Sequence, residues 1–129
     1  MLKKSEFVVV EHKAKKAGLH HDFRIKKPDG DMWVSFAIRK GLPTKTGEKV
    51  LAVKQPDHSK EDALIKGELE TGYGAGLFKH LDKGQCEISV WDEMKHIRLN
   101  LKGKTYKGTY HIVKMLSFGK DSWLVFKSK

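Results

Sequence analysis

Hydrophobic and polar residues alternate over short stretches of this chain, and glycine, proline and aspartate separate one stretch from the next. A period of two is typical of β-strands that bury one face. The pattern predicts eight strands, at residues 6–12, 20–26, 32–38, 50–55, 86–91, 97–101, 108–114 and 123–126. Many short strands separated by turns indicate an all-β fold, either an antiparallel barrel or a sandwich.

The segments between these strands predict turns and one short helix. Residues 27–30, KPDG, predict a hairpin between the second and third strands, because proline presets φ, aspartate caps the turn and glycine accepts a positive φ. Residues 100–103 and 118–121 carry weaker turn signals. Residues 59–66 begin with a serine that can cap a helix, so they predict one or two helical turns. The basic stretch 13–18 is interpreted as a flexible insertion, and the glycine-rich stretch 72–76 as a tight loop without the lysine of a P-loop.

The length and the net charge of the chain limit its possible functions. The 129 residues predict a single domain, residues 1–129, with its own core. Lysine and arginine number 26 against 16 aspartates and glutamates, a formal net charge of +10, which makes nucleic acid the first partner to consider. The apolar runs are too short to span a membrane, and the N-terminus lacks the apolar segment of a signal peptide. The chain has a single cysteine, Cys86, as is common in reducing compartments. These features predict a soluble cytoplasmic protein without membrane association.

The segment LHHDFRI carries the most specific local chemistry. In a strand, His20, Asp22 and Arg24 share one face, and the opposite face is mostly apolar. An imidazole and a carboxylate two residues apart can converge on a divalent cation, with His12 at the end of the preceding strand as a third ligand. Arg24 could then hold an anionic group on that metal. A surface charge network of the same side chains explains the spacing equally well.

A second candidate is the pair Asp57-His58, which follows the strand at 50–55. A histidine there could protonate a leaving oxygen or hold a phosphate oxygen, although most such pairs are surface hydrogen bonds. The motifs GxSxG, HExxH and paired CxxC do not occur, so serine hydrolases, zincins and zinc ribbons lose their usual support. The remaining histidines and the tryptophans are interpreted as surface, strand or core positions: His80, His96, His111, Trp33, Trp91 and Trp123.

An ordered series of motifs resembles a known family. The stretches FVVVEHKA, LHHDFRI, WVSFAIRKG, LAVKQPDHS, GYGAG and WLVFK are similar, in this order, to the 3′-phosphoesterase domain of the bacterial nonhomologous end-joining DNA ligase D. The resemblance covers about residues 7–127, and without a ligase or polymerase module the chain looks like a stand-alone member. It implies a compact β-barrel with a metal-dependent 3′-end-healing activity, typically with Mn²⁺, or alternatively Zn²⁺ or Co²⁺. Such enzymes remove a 3′-terminal ribonucleoside as phosphodiesterases and then the 3′-phosphate as phosphomonoesterases.

The resemblance also assigns residues. His12, His20 and Asp22 match the metal ligands, Arg24 and His58 match the residues that engage the scissile phosphate, and Lys40 matches a lysine near the phosphate or the nucleic-acid strand. The chain departs from the family pattern at four positions near the site: His21 and Asp62 stand where the family has tyrosine, and Val10 and Val50 replace polar residues. The balance between the two hydrolytic steps is therefore where this chain is expected to differ.

The implied partners are DNA or DNA/RNA 3′ ends at primer-template junctions, together with the ligase and other end-joining proteins, and a monomer is favoured. Two other functions stay open. One is a small cupin-like non-heme iron enzyme using His20, Asp22 and a distal histidine, which leaves the charge and Arg24 unexplained. The other is a non-catalytic basic nucleic-acid-binding module with structural histidines.

Overall fold

The computed structural model describes residues 2–16, 18–69, 75–117, 119 and 121–128. Within these ranges it has nine strands and one short helix: β1 (Lys3–Ala14), β2 (Gly18–Lys26), β3 (Trp33–Ile38), β4 (Lys49–His58), α1 (Lys60–Ala63), β5 (Gly67–Leu69), β6 (Gly76–Asp92), β7 (His96–Lys102), β8 (Lys107–Lys114) and β9 (Ser122–Lys127). No helix among the described residues is long and apolar enough to cross a membrane.

Eight of the strands form a closed antiparallel barrel. Their order is β1-β2-β3-β4-β9-β8-β7-β6, and β6 returns to pair with β1. The 17-residue strand β6 closes the barrel because residues 76–88 pair with β1 on one side and residues 86–92 pair with β7 on the other. The short strand β5 pairs with the start of β6. The predicted all-β class and the barrel that the family resemblance implies are both confirmed.

Two clusters of apolar side chains occupy the two faces of the barrel wall. The larger cluster fills the interior and includes Phe7, Val9, Phe23, Phe36, Tyr110 and Trp123. The smaller one, called the outer cluster below, lies on the outside of the wall and consists of Val8, Val10, Trp33, Ala63 and Phe78, with Leu64 and Ile65 packed against it. Residues 7–10 of β1 are therefore buried on both faces, which explains their continuous apolar run.

Local predictions agree with the structure at the hairpin and the helix. The backbone N–H of Lys27 donates to the carbonyl of Met32 at 2.9 Å, closing the β2–β3 hairpin. Ser59 caps α1, and its hydroxyl accepts from the N–H of Asp62 at 3.3 Å. The stretch 13–18 differs from the prediction, because Lys13 and Ala14 continue β1 and pair with β2. Residues 72–74, 118 and 120 of the predicted loops lie outside the described residues.

One buried carboxylate secures the turn between β7 and β8. Asp82 accepts backbone N–H groups from Lys83, Lys104, Thr105 and Tyr106, at 2.9, 3.2, 2.9 and 2.9 Å. Burial alone would raise the pKa of Asp82, but these N–H donors hold it below its usual value. The turn occupies residues 103–106, three residues after the predicted one, and its backbone is tied to β6 through this single side chain.

Candidate metal centre

The candidate site lies on the outer wall of the barrel, where β1 and β2 pair. His12 is directly opposite His20 in the ladder, and Val10 is opposite Asp22. His20, Asp22 and Arg24 alternate along β2 with Phe23 and Ile25, which belong to the interior cluster. Since side chains of a strand alternate between faces, the polar row points outward, away from the barrel interior.

Three potential ligands converge at this point. The Nδ1 atom of His12 is 3.3 Å from Oδ2 of Asp22, and the Nε2 atom of His20 is 3.1 Å from Oδ1 of Asp22. One ligand atom from each of the three residues lies within 4.8 Å of the others. Two imidazole nitrogens and one carboxylate oxygen are a donor set that suits divalent Mn, Fe or Zn and leaves coordination positions open. These residues therefore fit a divalent cation.

The protonation of His20 supports this fit. Its Nδ1 atom is 3.2 Å from the carbonyl oxygen of Gly18, which can only accept, so Nδ1 carries the hydrogen in this bond. The lone pair of Nε2 then faces the Asp22 carboxylate, and two such acceptors 3.1 Å apart are held together by a shared proton or a metal cation. In the protein alone, the hydrogen bond to Asp22 raises the pKa of His20 against the effect of burial.

Asp22 is only 4% exposed and stays charged despite its burial. Burial would raise the pKa of this carboxyl, but the hydrogen bond with His20 and the charge of Arg24 hold it below its usual value. The His12 ring beside it stacks on Phe78, with ring centroids 4.1 Å apart and an angle of 18° between the planes. The outer cluster thus fixes the orientation of one imidazole and excludes water from one side of the site.

Arg24 is 3% exposed and connects the cluster to α1. Its Nη2 atom is 3.1 Å from Oδ2 of Asp22, and Nη1 donates to the carbonyls of Asp62 and Ala63 at 3.1 and 2.9 Å. Burial lowers the pKa of Arg24, and Asp22 opposes that effect. Arginine titrates so far above neutrality that the guanidinium keeps its charge. The helix therefore holds a buried positive charge beside the carboxylate.

Two buried polar atoms next to this charge lack a hydrogen-bond partner within the described part of the chain. They are Nε of Arg24 and Oγ of Ser35, and the two residues are directly opposite each other in the β2–β3 ladder. On its other side, Ser35 is paired with Gln55 of β4 in the β3–β4 ladder. Sequence reasoning did not single out Ser35, because a serine in an apolar strand carries no signal until its cross-strand partner is known.

His58 ends β4 and is paired with Trp33 in the ladder. Burial, and secondly the positive charge of Arg24, lower the pKa of His58, so its imidazole is neutral at neutral pH. Trp33 belongs to the outer cluster, so the end of β4 that carries His58 adjoins this cluster. Lys40 is exposed in the turn after β3, and no described hydrogen bond or ion pair joins it to these residues. The role predicted for Lys40 stays a prediction.

His21 points away from the cluster. Its Nδ1 atom accepts the backbone N–H of Leu42 at 3.0 Å, and Gly41 lies against its ring with φ of +86°. His80 bonds the carbonyl of Ile65 at 3.2 Å, but its buried Nδ1 atom has no partner among the described residues. His96 and His111 stack on each other in β7 and β8.

The fold and the site define a class of protein: an antiparallel β-barrel with two histidines, a carboxylate and a buried arginine converging on its outer wall. Residues 10–114 match the family model of the DNA Ligase D 3′-phosphoesterase domain. The chain belongs to this family, which confirms the resemblance seen in its motifs.

Three relatives agree with this assignment. The chain is 33% identical over 127 residues to the multifunctional non-homologous end joining protein LigD of Mycobacterium bovis, covering 95% of this chain and 16% of that protein. The same identity and coverage hold for the multifunctional non-homologous end joining DNA repair protein LigD of Mycobacterium tuberculosis. The corresponding protein of Mycolicibacterium smegmatis is 34% identical over 135 residues, covering 96% of this chain and 17% of that protein. The chain thus spans about one sixth of the length of these relatives.

Proposed function

We propose that this protein is a metal-dependent phosphoesterase that processes the 3′ ends of nucleic acids in DNA end joining. The observation that carries the proposal is the convergence of His12, His20 and Asp22 beside the buried guanidinium of Arg24. Membership of the 3′-phosphoesterase family supports it, as do the names of the relatives, which describe non-homologous end joining. The net charge of +10 suits a polyanionic substrate.

The finer proposal is the two-step chemistry. The protein first removes a 3′-terminal ribonucleoside by cleaving the phosphodiester bond and then removes the remaining 3′-phosphate, leaving a 3′-OH. Mn²⁺ is the proposed cation, with Zn²⁺ or Co²⁺ as alternatives. Its substrates are DNA or DNA/RNA ends at primer-template junctions, and end-joining ligases would use the product. We place this activity in the cytoplasm and expect a monomer.

Each residue of the site has a proposed part. His12, His20 and Asp22 would hold the divalent cation, which supplies Lewis-acid stabilisation of phosphate charge when bound. Arg24 adds a fixed positive charge in a site with little water, where electrostatic stabilisation is strong. The N–H of the neutral His58 ring would donate a hydrogen bond to a phosphate oxygen, or the ring, once protonated, would give a proton to the leaving-group oxygen. Water is the nucleophile, because the hydroxyl of Ser35 opposite Arg24 has no described hydrogen-bond partner that could activate it.

The test is a gel assay on a 5′-labelled primer-template that carries one 3′-terminal ribonucleotide, with and without Mn²⁺. We expect stepwise conversion to a 3′-phosphate end and then to a 3′-OH end. The double variant His20→Ala/Asp22→Ala should lose hydrolysis but keep salt-sensitive binding, since the lysines remain. His96→Ala is the matched control, because this histidine lies on β7, a strand that carries none of the proposed ligands.

Each of the other outcomes of the gel assay has a definite meaning. Cleavage that stops at the 3′-phosphate would support the phosphodiesterase step and refute the phosphomonoesterase step. That result would fit the replacement of the family tyrosine by Asp62. Cleavage by the double variant would refute the metal site. Binding without cleavage in any divalent metal would favour the non-catalytic nucleic-acid-binding module.

A further inference from the structure

The surroundings of the candidate centre differ from one side to the other. On the β1 side, Phe78 covers the ring of His12. Towards α1, the carbonyls of Asp62 and Ala63 and the outer cluster cover Arg24. The helix also packs on β3 and β4, at the end where Trp33 is paired with His58. A substrate that reaches Asp22 therefore extends over the other end of these two strands, which continues the outer wall of the barrel.

The ladder shows which residues lie there. Asp22 is directly opposite Ala37 on β3, and Ala37 is directly opposite Val53 on β4. Directly opposite residues share a face of the sheet, and so do alternate residues of a strand, so Asp22, Val53 and Leu51 all face outward. Two strand spacings separate Asp22 from Val53, or about 10 Å. A nucleoside attached to a phosphate at the centre covers such a distance.

Val53 and Leu51 are exposed apolar side chains, with 41% and 47% of their surfaces accessible. Single exposed apolar residues are common, but these two adjoin each other on a face that is continuous with the candidate centre. Lys49, two residues further along β4, also faces outward, and its ammonium group lies 5.3 Å from the centroid of the Phe126 ring. The order along this face is thus a charged centre, an apolar patch and a cation.

We propose that Leu51 and Val53 form an apolar subsite for the terminal nucleoside that carries the 3′-phosphate, with Lys49 near a phosphate further along the same strand. The inference rests on the proposed function and adds to it the position of the nucleic-acid strand. A base and its sugar pack on apolar side chains without sequence preference, and the alternation of apolar patch and cation matches the alternation of nucleoside and phosphate. Such a subsite selects a nucleoside end without selecting the base.

The experiment measures binding by fluorescence anisotropy, with a labelled primer-template ending in a 3′-phosphate and with a chelator present, so that the 3′-phosphate is not hydrolysed during the measurement. Two ends are compared, one with a natural terminal nucleoside and one with an abasic terminal sugar. The variant is Leu51→Ala/Val53→Ala, and the matched control is Met94→Ala, an apolar side chain that is 78% exposed in the turn between β6 and β7. Because all three side chains are exposed, the variants should fold, and their melting temperatures check this.

We expect the double variant to weaken binding of the natural end about five- to tenfold, because the terminal base then has less apolar surface to pack against. The abasic end should bind the double variant and the unsubstituted protein equally, and Met94→Ala should change neither affinity. If the double variant binds the natural end as tightly as the unsubstituted protein does, the subsite is overturned and the proposed function stays intact. If the unsubstituted protein neither cleaves nor preferentially binds 3′-phosphate ends, the proposed function fails and the subsite with it.

Discussion

The ion cluster on the outer wall predicts a large loss of stability for Asp22→Asn. Arg24 is 3% exposed, and Asp22 is the carboxylate that its Nη2 atom contacts. The amide of the variant keeps the shape of the side chain but leaves the buried guanidinium without the carboxylate it contacts, with only the charge of Asp62 to oppose its burial. Removing one member of a buried pair costs about 3–5 kcal/mol, because the remaining charge is uncompensated.

That energy corresponds to a measurable shift of the melting temperature. For 129 residues, an unfolding entropy of about 2.1 cal/mol/K per residue gives about 0.27 kcal/mol/K. The expected decrease is then about 11–18 °C. The assay is thermal unfolding followed by circular dichroism at pH 7 with a chelator, so that bound metal does not contribute.

Asp57→Asn provides a matched control with the same chemical change. Asp57 forms ion pairs with Lys27 at 2.7 Å and Lys54 at 3.5 Å, but its side chain is 26% exposed. Exposed pairs contribute about 0–1 kcal/mol, so the control should lose no more than about 4 °C. A decrease for Asp22→Asn no larger than that of the control would refute the reasoning, because the buried charge would then need no carboxylate.

The same variant tests the metal centre. Mn²⁺ at about a hundred times its dissociation constant should stabilise the unsubstituted protein by about 2.7 kcal/mol. With 129 residues this corresponds to a rise of roughly 10 °C. Asp22→Asn should lose most of this rise, and Asp57→Asn should keep it. An equal rise in both variants would place the metal elsewhere.

Three further predictions concern single residues. Asp82→Asn should destabilise the protein by about 2–3 kcal/mol at pH 7, because it replaces a carboxylate acceptor of backbone N–H groups. Since the folded-state pKa of Asp82 is below its unfolded value, this stability is present above about pH 4 and is lost at lower pH. Urea titrations from pH 7 to pH 3 should therefore show a decreasing difference in unfolding free energy between the variant and the unsubstituted protein. Gly41→Ala should lower stability by about 1–2 kcal/mol in the same titration, since φ is +86° and the new Cβ would lie 3.0 Å from the His21 ring. His58→Ala should reduce hydrolysis about a hundredfold or more in the gel assay without changing the Mn²⁺-dependent rise in melting temperature, and a lost rise would make His58 a metal ligand.

The sequence predicted the parts of the site that lie close together along β2. Strand alternation alone placed His20, Asp22 and Arg24 on one face, and the ladder then brought His12 opposite His20. The contacts that orient and bury these groups depend on partners far along the chain. Phe78 reaches His12 only because β6 closes the barrel on β1, and the carbonyls of α1 reach Arg24 only after the helix folds onto the wall.

The same reasoning explains the missed half of β6. Burial largely alternates along residues 76–85, but the residue types do not follow it: Gly76 and Asp82 are buried, whereas Leu77 is exposed. The pairing with β1 also shifts between His80 and Asp82, which breaks the period at residue 81. A strand that buries a hydrogen-bonded carboxylate and shifts its register cannot be recognised from an apolar period of two.

The position of the site on the outer wall follows from the size of the barrel. An eight-stranded barrel is just wide enough for its own side chains to fill, and here aromatic residues such as Phe23, Phe36 and Trp123 occupy the interior. A polar site must then be built outside, where water would weaken its electrostatics. The outer cluster and α1 supply the missing low-dielectric cover for Asp22 and Arg24. They cover β3 and β4 only at the end that carries Trp33 and His58, so the face around Leu51 and Val53 stays accessible. The same packing that strengthens the charges therefore also determines the direction from which a substrate arrives.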